Sequence, residues 1–156
     1  MRHDAVLRHL VSVNEAKLSP GSVLYVDLPG FRNPDTIFNN MRPDVIVVNG
    51  PVVSVLELTC CYEQNLENSR TYKVNKYSNL KGDCKLNLPV NVFTLEISSL
   101  GFANFSDFKK FCINAGVSTL DVVSLGRCGE ISLRCSFFIF CSRHKAWPVN
   151  ITDPIV

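Results

Sequence analysis

The chain has 156 residues, of which 46% are hydrophobic and 19% charged, with a formal net charge of +2 and an isoelectric point near 8.2. That composition excludes long disorder and suits one domain with a real core, too short for two comfortable ones. The slight positive charge permits nucleic acid as a partner without demanding it. No run approaches the roughly 18–20 apolar residues that span a bilayer. The opening MRHDAVLRHL scatters charge where a secretory signal needs an apolar stretch. Seven cysteines, an odd count, then point to free thiols in a reducing compartment, leaving the sequons at Asn104 and Asn150 idle.

In chain order, residues 4–13 place Val6, Leu7, Leu10, Val11 and Val13 on a helical stripe, with Asp4 at its start. Ser19-Pro20-Gly21 marks a turn. Residues 23–28 read as a short strand, and residues 29–41, with Pro29, Gly30 and Pro34, read as a loop. Two strands follow at 44–48 and 52–60, separated by Asn49-Gly50-Pro51. Asn-Gly is the strongest short hairpin signal. Pro51 lacks an N–H, so a loop slightly longer than two residues is expected. The Val/Ile run of the first strand implies burial on both faces. A helix spans 65–80, a strand 90–97, and a short amphipathic helix 105–115 stops at Gly116. Residues 120–147 are ambiguous. Most of 130–142 reads as a closing helix, although SLRCSFFIF has the composition of a buried strand. The order α-β-β-β-α-β with a helical extension describes an α/β domain with a mixed central sheet flanked by helices.

The stretch 42–80 carries the chemistry. Side chains alternate along strands, so Asp44 shares a face with Ile46 and Val48, and Glu57 with Val53 and Val55. If the hairpin pairs 48 with 51, Asp44 faces Val55 and Glu57 is its diagonal neighbour, about 7–8 Å away between backbones. A one-residue slip would send the two acids to opposite faces. Two hard oxygen ligands with open positions suit Mg²⁺ or Mn²⁺, which activates water and neutralises phosphate charge. The plainer reading is a strand-initiating Asp44 and a solvent-facing Glu57; the apolar neighbours Leu56 and Leu58 weigh against it. On a period of 3.6, Leu66, Ser69, Lys73, Tyr77 and Leu80 fall in one sector, so Lys73 points towards the sheet and Lys76 lies at its margin. Lys73 can hold its charge against a phosphate, or it can lay its stem over apolar surface with its head in water. Arg70, Lys76, Lys81 and Lys85 are equally phosphate contacts or a solvated face.

The pattern Arg42-Pro43-Asp44, twelve residues, Glu57-Leu58-Thr59, then a helix with Lys73-x-x-Lys76-Tyr77 resembles the PD-(D/E)XK restriction-like nuclease superfamily. It is most similar to the restriction-like endonuclease domain at the C-terminus of R2-type non-LTR retrotransposon polyproteins. The flanking RHDAVLRHL, LEISSLGF and SRHKAWP carry that likeness over nearly the whole chain. The resemblance implies a divalent-metal-dependent enzyme that nicks DNA in the nucleus, with Asp44 and Glu57 as metal ligands. It implies Lys73 as the lysine supplied from the following helix, since Thr59 stands where many members carry theirs. It also implies a longer polyprotein supplying a reverse transcriptase and zinc fingers. His3, Arg70, Lys76 and Tyr77 complete the candidate set as DNA contacts; His3 with Asp4 either approaches the metal site or DNA through the first helix or, equally, caps that helix.

Other residues tempt less. Cys128, Cys135, Cys141 and His144 fit no common zinc spacing, and Cys60-Cys61 has no paired histidine to make a nucleophile. Trp147, Arg143 and Lys145 can stack on nucleic acid or close a core. The leading reading is a metal-dependent DNA endonuclease. Its rivals are a nuclease-derived DNA-binding module that no longer cuts and an interaction domain with no nucleic-acid role.

Overall fold

The structure, a computed structural model, describes residues 1–146, the side chains of 144–146 excepted. Helix α1 (Arg2–Asn14) precedes strands β1 (Val23–Val26), β2 (Val45–Asn49) and β3 (Val52–Cys61). Helix α2 (Leu66–Lys76) and the single turn α3 (Leu80–Asp83) lead to β4 (Val90–Ser98), and α4 (Ser106–Ala115) and α5 (Val122–Ala146) follow. The sheet runs β1-β2-β3-β4, antiparallel in its first two pairings and parallel between β3 and β4. This is the mixed-sheet α/β architecture, flanked by helices, expected from the order of elements.

The strand periodicity sorts the core into two layers. Val45, Val47, Leu56, Leu58, Leu95 and Ile97 bury one face of the sheet against α1, α4 and α5. Ile46, Val53 and Val55 bury the other against Tyr77, Leu80, Phe38 and Cys84. The Val/Ile run of β2 is therefore buried on both faces, and the loop 29–41 contributes Ile37 and Phe38 to the second layer.

Three expectations are corrected, and the closing helix expected over 130–142 is borne out and extended. The β2–β3 loop is not lengthened: Asn49 pairs with Val52, leaving only Gly50 and Pro51 in the turn. Gly50 has φ +56 while Pro51 is not among the positive-φ residues, the sign pattern of a type II′ hairpin. Pro51 takes the second central position, whose N–H the turn does not use. The register is thereby two residues away from pairing 48 with 51, an even change that keeps every side chain on its expected face.

The helix expected over 65–80 is broken after Lys76, where Ser78 Oγ donates to the Asn75 carbonyl at 2.8 Å. Short polar side chains of this kind divert backbone acceptors from the helix ladder. Strand β1 ends at Val26, because Val26 N–H turns to the Arg32 carbonyl at 3.0 Å. Finally, α5 is a continuous helix from Val122, and SLRCSFFIF lies inside it. Gly129, within this helix, is a contact point. A Cβ there would lie 2.4 Å from the Gly101 carbonyl oxygen, so glycine lets α5 lie against the turn that follows β4.

Candidate active site

The site begins at the mouth of β2. Arg42 is anchored outside the sheet, its Nε and Nη2 lying 2.8 and 2.7 Å from Asp27 Oδ1. Pro43 is buried, and the Asp44 carbonyl accepts the Asp27 N–H at 2.9 Å. The chain thus enters β2 held from β1, with Asp44 delivered to the face that Ile46 occupies two residues later.

Val45 pairs with Leu56, so Asp44 stands directly opposite Glu57 rather than diagonal to it. The acids clasp the end of the ladder. Asp44 N–H donates to Glu57 Oε1 at 2.9 Å, and Leu58 N–H donates to Asp44 Oδ2 at 2.8 Å. Both acids are buried, Glu57 to 1% exposure. Burial and the neighbouring Asp44 charge push the Glu57 carboxyl above its usual range, and Lys73 opposes them.

Two cations answer this charge. Lys73 reaches in from α2, its Nζ 2.5 Å from Glu57 Oε2, and so follows the inward sector that the 3.6 period assigned to it. His3, in the first turn of α1, places Nε2 3.3 Å from Asp44 Oδ2 and Nδ1 3.1 Å from Asp4 Oδ1. The hydrogen bond to Asp44 raises its pKa to about 9, against an opposing effect of burial, so His3 is a cation at neutral pH. Of its two expected placements, the structure brings it to the carboxylates.

The remaining candidates are placed differently. Tyr77 is only 2% exposed and sits beneath α2, so its ring cannot present a DNA contact. Burial and the Glu57 carboxylate hold its phenol far above the ordinary value. Lys76 is exposed, with Nζ 4.9 Å from the centre of the Tyr77 ring. Arg70 pairs with Asp107 at 3.2 Å while remaining half-exposed. Thr59 lies one strand step beyond Glu57 on the same face, its Oγ1 buried without a hydrogen-bond partner among the described residues.

Glu96 was missed in the sequence. It pairs with Thr59 across β3 and β4, and burial raises its pKa. The signal was the one that marked Glu57, an acid between apolar residues (Leu95 and Ile97) in a strand. Arg2 was missed as well. It donates to Ser136 Oγ at 2.8 Å and to the Cys60 carbonyl at 3.0 Å, tying α1 to α5 and β3. All seven cysteines are free thiols. His144, Lys145 and Trp147 fall outside the residues or side chains described.

The oxygen chemistry suits a hard divalent cation: two carboxylates meet on one face, with the imidazolium of His3 as a charge partner and not a donor. Among the described residues no three His, Cys, Asp or Glu side chains are grouped to hold a metal ion. The oxygens of Asp44 and Glu57 are donors of the kind taken by an ion that keeps several waters and accepts phosphate oxygens as further ligands.

No protein-family model and no curated protein sequence matches the chain. Among solved structures, it is similar to a cap-snatching endonuclease of the Phenuiviridae. The TM-score is 0.53 and the identity 14%, over 90% of this chain and 62% of that one. The likeness is one of fold, and this chain spans less than two thirds of that structure's length.

Proposed function

We propose that this chain is a divalent-metal-dependent endonuclease that nicks DNA, of retroelement origin and acting in the nucleus beside a reverse transcriptase and zinc fingers of a longer polyprotein. The observation that carries the reading is the direct opposition of Asp44 and Glu57, with Lys73 on Glu57. Fold likeness to an endonuclease supports it.

Asp44 and Glu57 are the residues to hold Mg²⁺ or Mn²⁺. Such an ion lowers the pKa of a bound water and neutralises charge on the phosphate. Lys73 is the mobile partner in this scheme. It balances Glu57 in the free protein and turns to the attacking water or the scissile phosphate when substrate arrives. His3 holds a positive charge against Asp44 on the opposite side from Lys73's partner. Arg70 and Lys76 contact backbone phosphates, Arg70 by exchanging Asp107 for a phosphate oxygen.

One observation favours the rival reading, a DNA-binding module that does not cut. Both oxygens of Glu57 are already engaged, by Lys73 and by the Asp44 amide. Nicking of supercoiled plasmid with Mg²⁺ or Mn²⁺ separates the two. The proposal expects relaxation by the wild type, none by Asp44→Ala or Glu57→Ala, and a strong reduction in Lys73→Ala. A folded wild type that binds DNA and never nicks it identifies the module. Nicking that survives Asp44→Ala removes the central site from consideration.

A further inference from the structure

The first turn of α1, the end of β3 and the second half of α5 enclose a cavity of about 550 Å³. That lies within the roughly 300–1,000 Å³ of ligand sites. Its lining includes Arg2, His3, Tyr62, Phe137, Ile139 and Arg143, and no acidic residue lines it among the described residues. His3 joins it to the carboxylates, being 3.3 Å from Asp44. Arg2 forms part of the wall with its guanidinium hydrogen-bonded to Ser136 Oγ and the Cys60 carbonyl, and its Nε is buried without a partner among the described residues. Phe137 leaves its ring 68% exposed.

Flat apolar faces interleaved with cations are the chemistry of nucleobase stacking and phosphate contact. We propose that this cavity receives an unstacked nucleobase of the substrate strand next to the bond that is cut. Phe137 is the stacking face and Arg143 the contact to the adjoining phosphate. The substrate class follows: a strand unpaired at that nucleotide, because taking a base out of a duplex costs a few kcal/mol. The inference rests on the nuclease reading above and adds to it a subsite and a strand state. An apolar protein segment in the same cavity would bring no charge to Arg2, whose hydrogen bonds to Ser136 and Cys60 go to neutral groups, or to the exposed Arg143, whereas a nucleic acid does.

The test is fluorescence anisotropy in EDTA, where no cutting occurs. A labelled oligothymidylate, an oligouridylate of equal length and a duplex are titrated with wild type, Phe137→Ala, Phe137→Tyr and Phe138→Ala. The subsite predicts tighter binding of a single strand than of the duplex. Phe137→Ala should lose about 5- to 150-fold in single-strand affinity, the range of one base–aromatic stack, and Phe137→Tyr should retain it. Phe138, 61% exposed on the same helix but outside the cavity lining, is the control and its truncation should change nothing. The two single strands show whether deoxyribose or ribose backbones enter more readily, and preference for either supports the subsite. Equal binding of duplex and single strand, or no loss in Phe137→Ala, overturns the subsite and leaves the nuclease reading standing. Failure to bind any of the three overturns both.

Discussion

Replacing Lys73 with methionine keeps a stem of similar shape and deletes the charge on Glu57. The consequence can be sized from burial. Glu57 is 1% exposed and the Lys73 side chain 21%. Removing one partner of a fully buried pair costs about 3–5 kcal/mol, because the other charge stays behind uncompensated. Lysine's partial exposure reduces this to about 2–4 kcal/mol for Lys73→Met at pH 7 without metal. The cost should depend on pH in a defined sense. Glu57 is held above its ordinary carboxyl value of 4.5 by burial and by Asp44, so ionising it opposes folding. That opposition is absent below the unfolded value and grows as pH rises through the folded one. Loss of Lys73 raises the folded value further. The gap between variant and wild type is therefore small in acid and widens as pH rises. Urea unfolding followed by circular dichroism in EDTA, from pH 4.5 to 8, measures it. Glu57→Gln in the Lys73→Met background should recover most of the loss. A divalent ion at ten times its dissociation constant should return about 1.4 kcal/mol to Lys73→Met if the carboxylates hold it. A cost below about 0.5 kcal/mol at pH 7, or one that is unchanged by pH and by Glu57→Gln, refutes the electrostatic account of the site.

Three further outcomes follow from the same geometry. His3 has its pKa raised from 6.5 to about 9, so its stabilising pairing with Asp44 is fully present below 6.5 and lost as pH rises through about 9. Thermal unfolding in EDTA across that window should show a decline in the wild type that His3→Gln lacks. Gly129→Ala should destabilise by about 2 kcal/mol by forcing α5 off the Gly101 carbonyl, whereas Gly126→Ala, with open space around its Cβ, should stabilise by about 0.5–1 kcal/mol in the same unfolding assay. Burial pushes the thiols of Cys112 and Cys128 up to about 12, so neither should react with a thiol-specific disulfide reagent at pH 8 until the chain is unfolded.

The sequence by itself determined the elements and the faces. Alternation in β2 and β3 and the 3.6 period of α2 are local properties of the chain, and they suffice to put Asp44, Glu57 and Lys73 on one side of the sheet. An even change of register cannot move a side chain to the other face, so the error over the hairpin loop left this conclusion intact. Only the tertiary structure decided what stands opposite what. The Gly50-Pro51 turn converted a diagonal pair of acids into a direct one, because pairing depends on the conformation of two residues and not on the strand pattern. His3 reaches Asp44 across 41 positions of chain because α1 packs against β3 and α5, a placement that no local pattern encodes. Tyr77 shows the converse: the period put it on the inner face, and its burial against β2 and β3 removed it from the DNA-facing set. The cavity at Phe137 likewise joins residues from α1, the end of β3 and α5, which no local pattern brings together. Periodicity is set by bonds between neighbours in the chain; contact between distant residues is set by how whole faces pack, and that information resides in the assembled core.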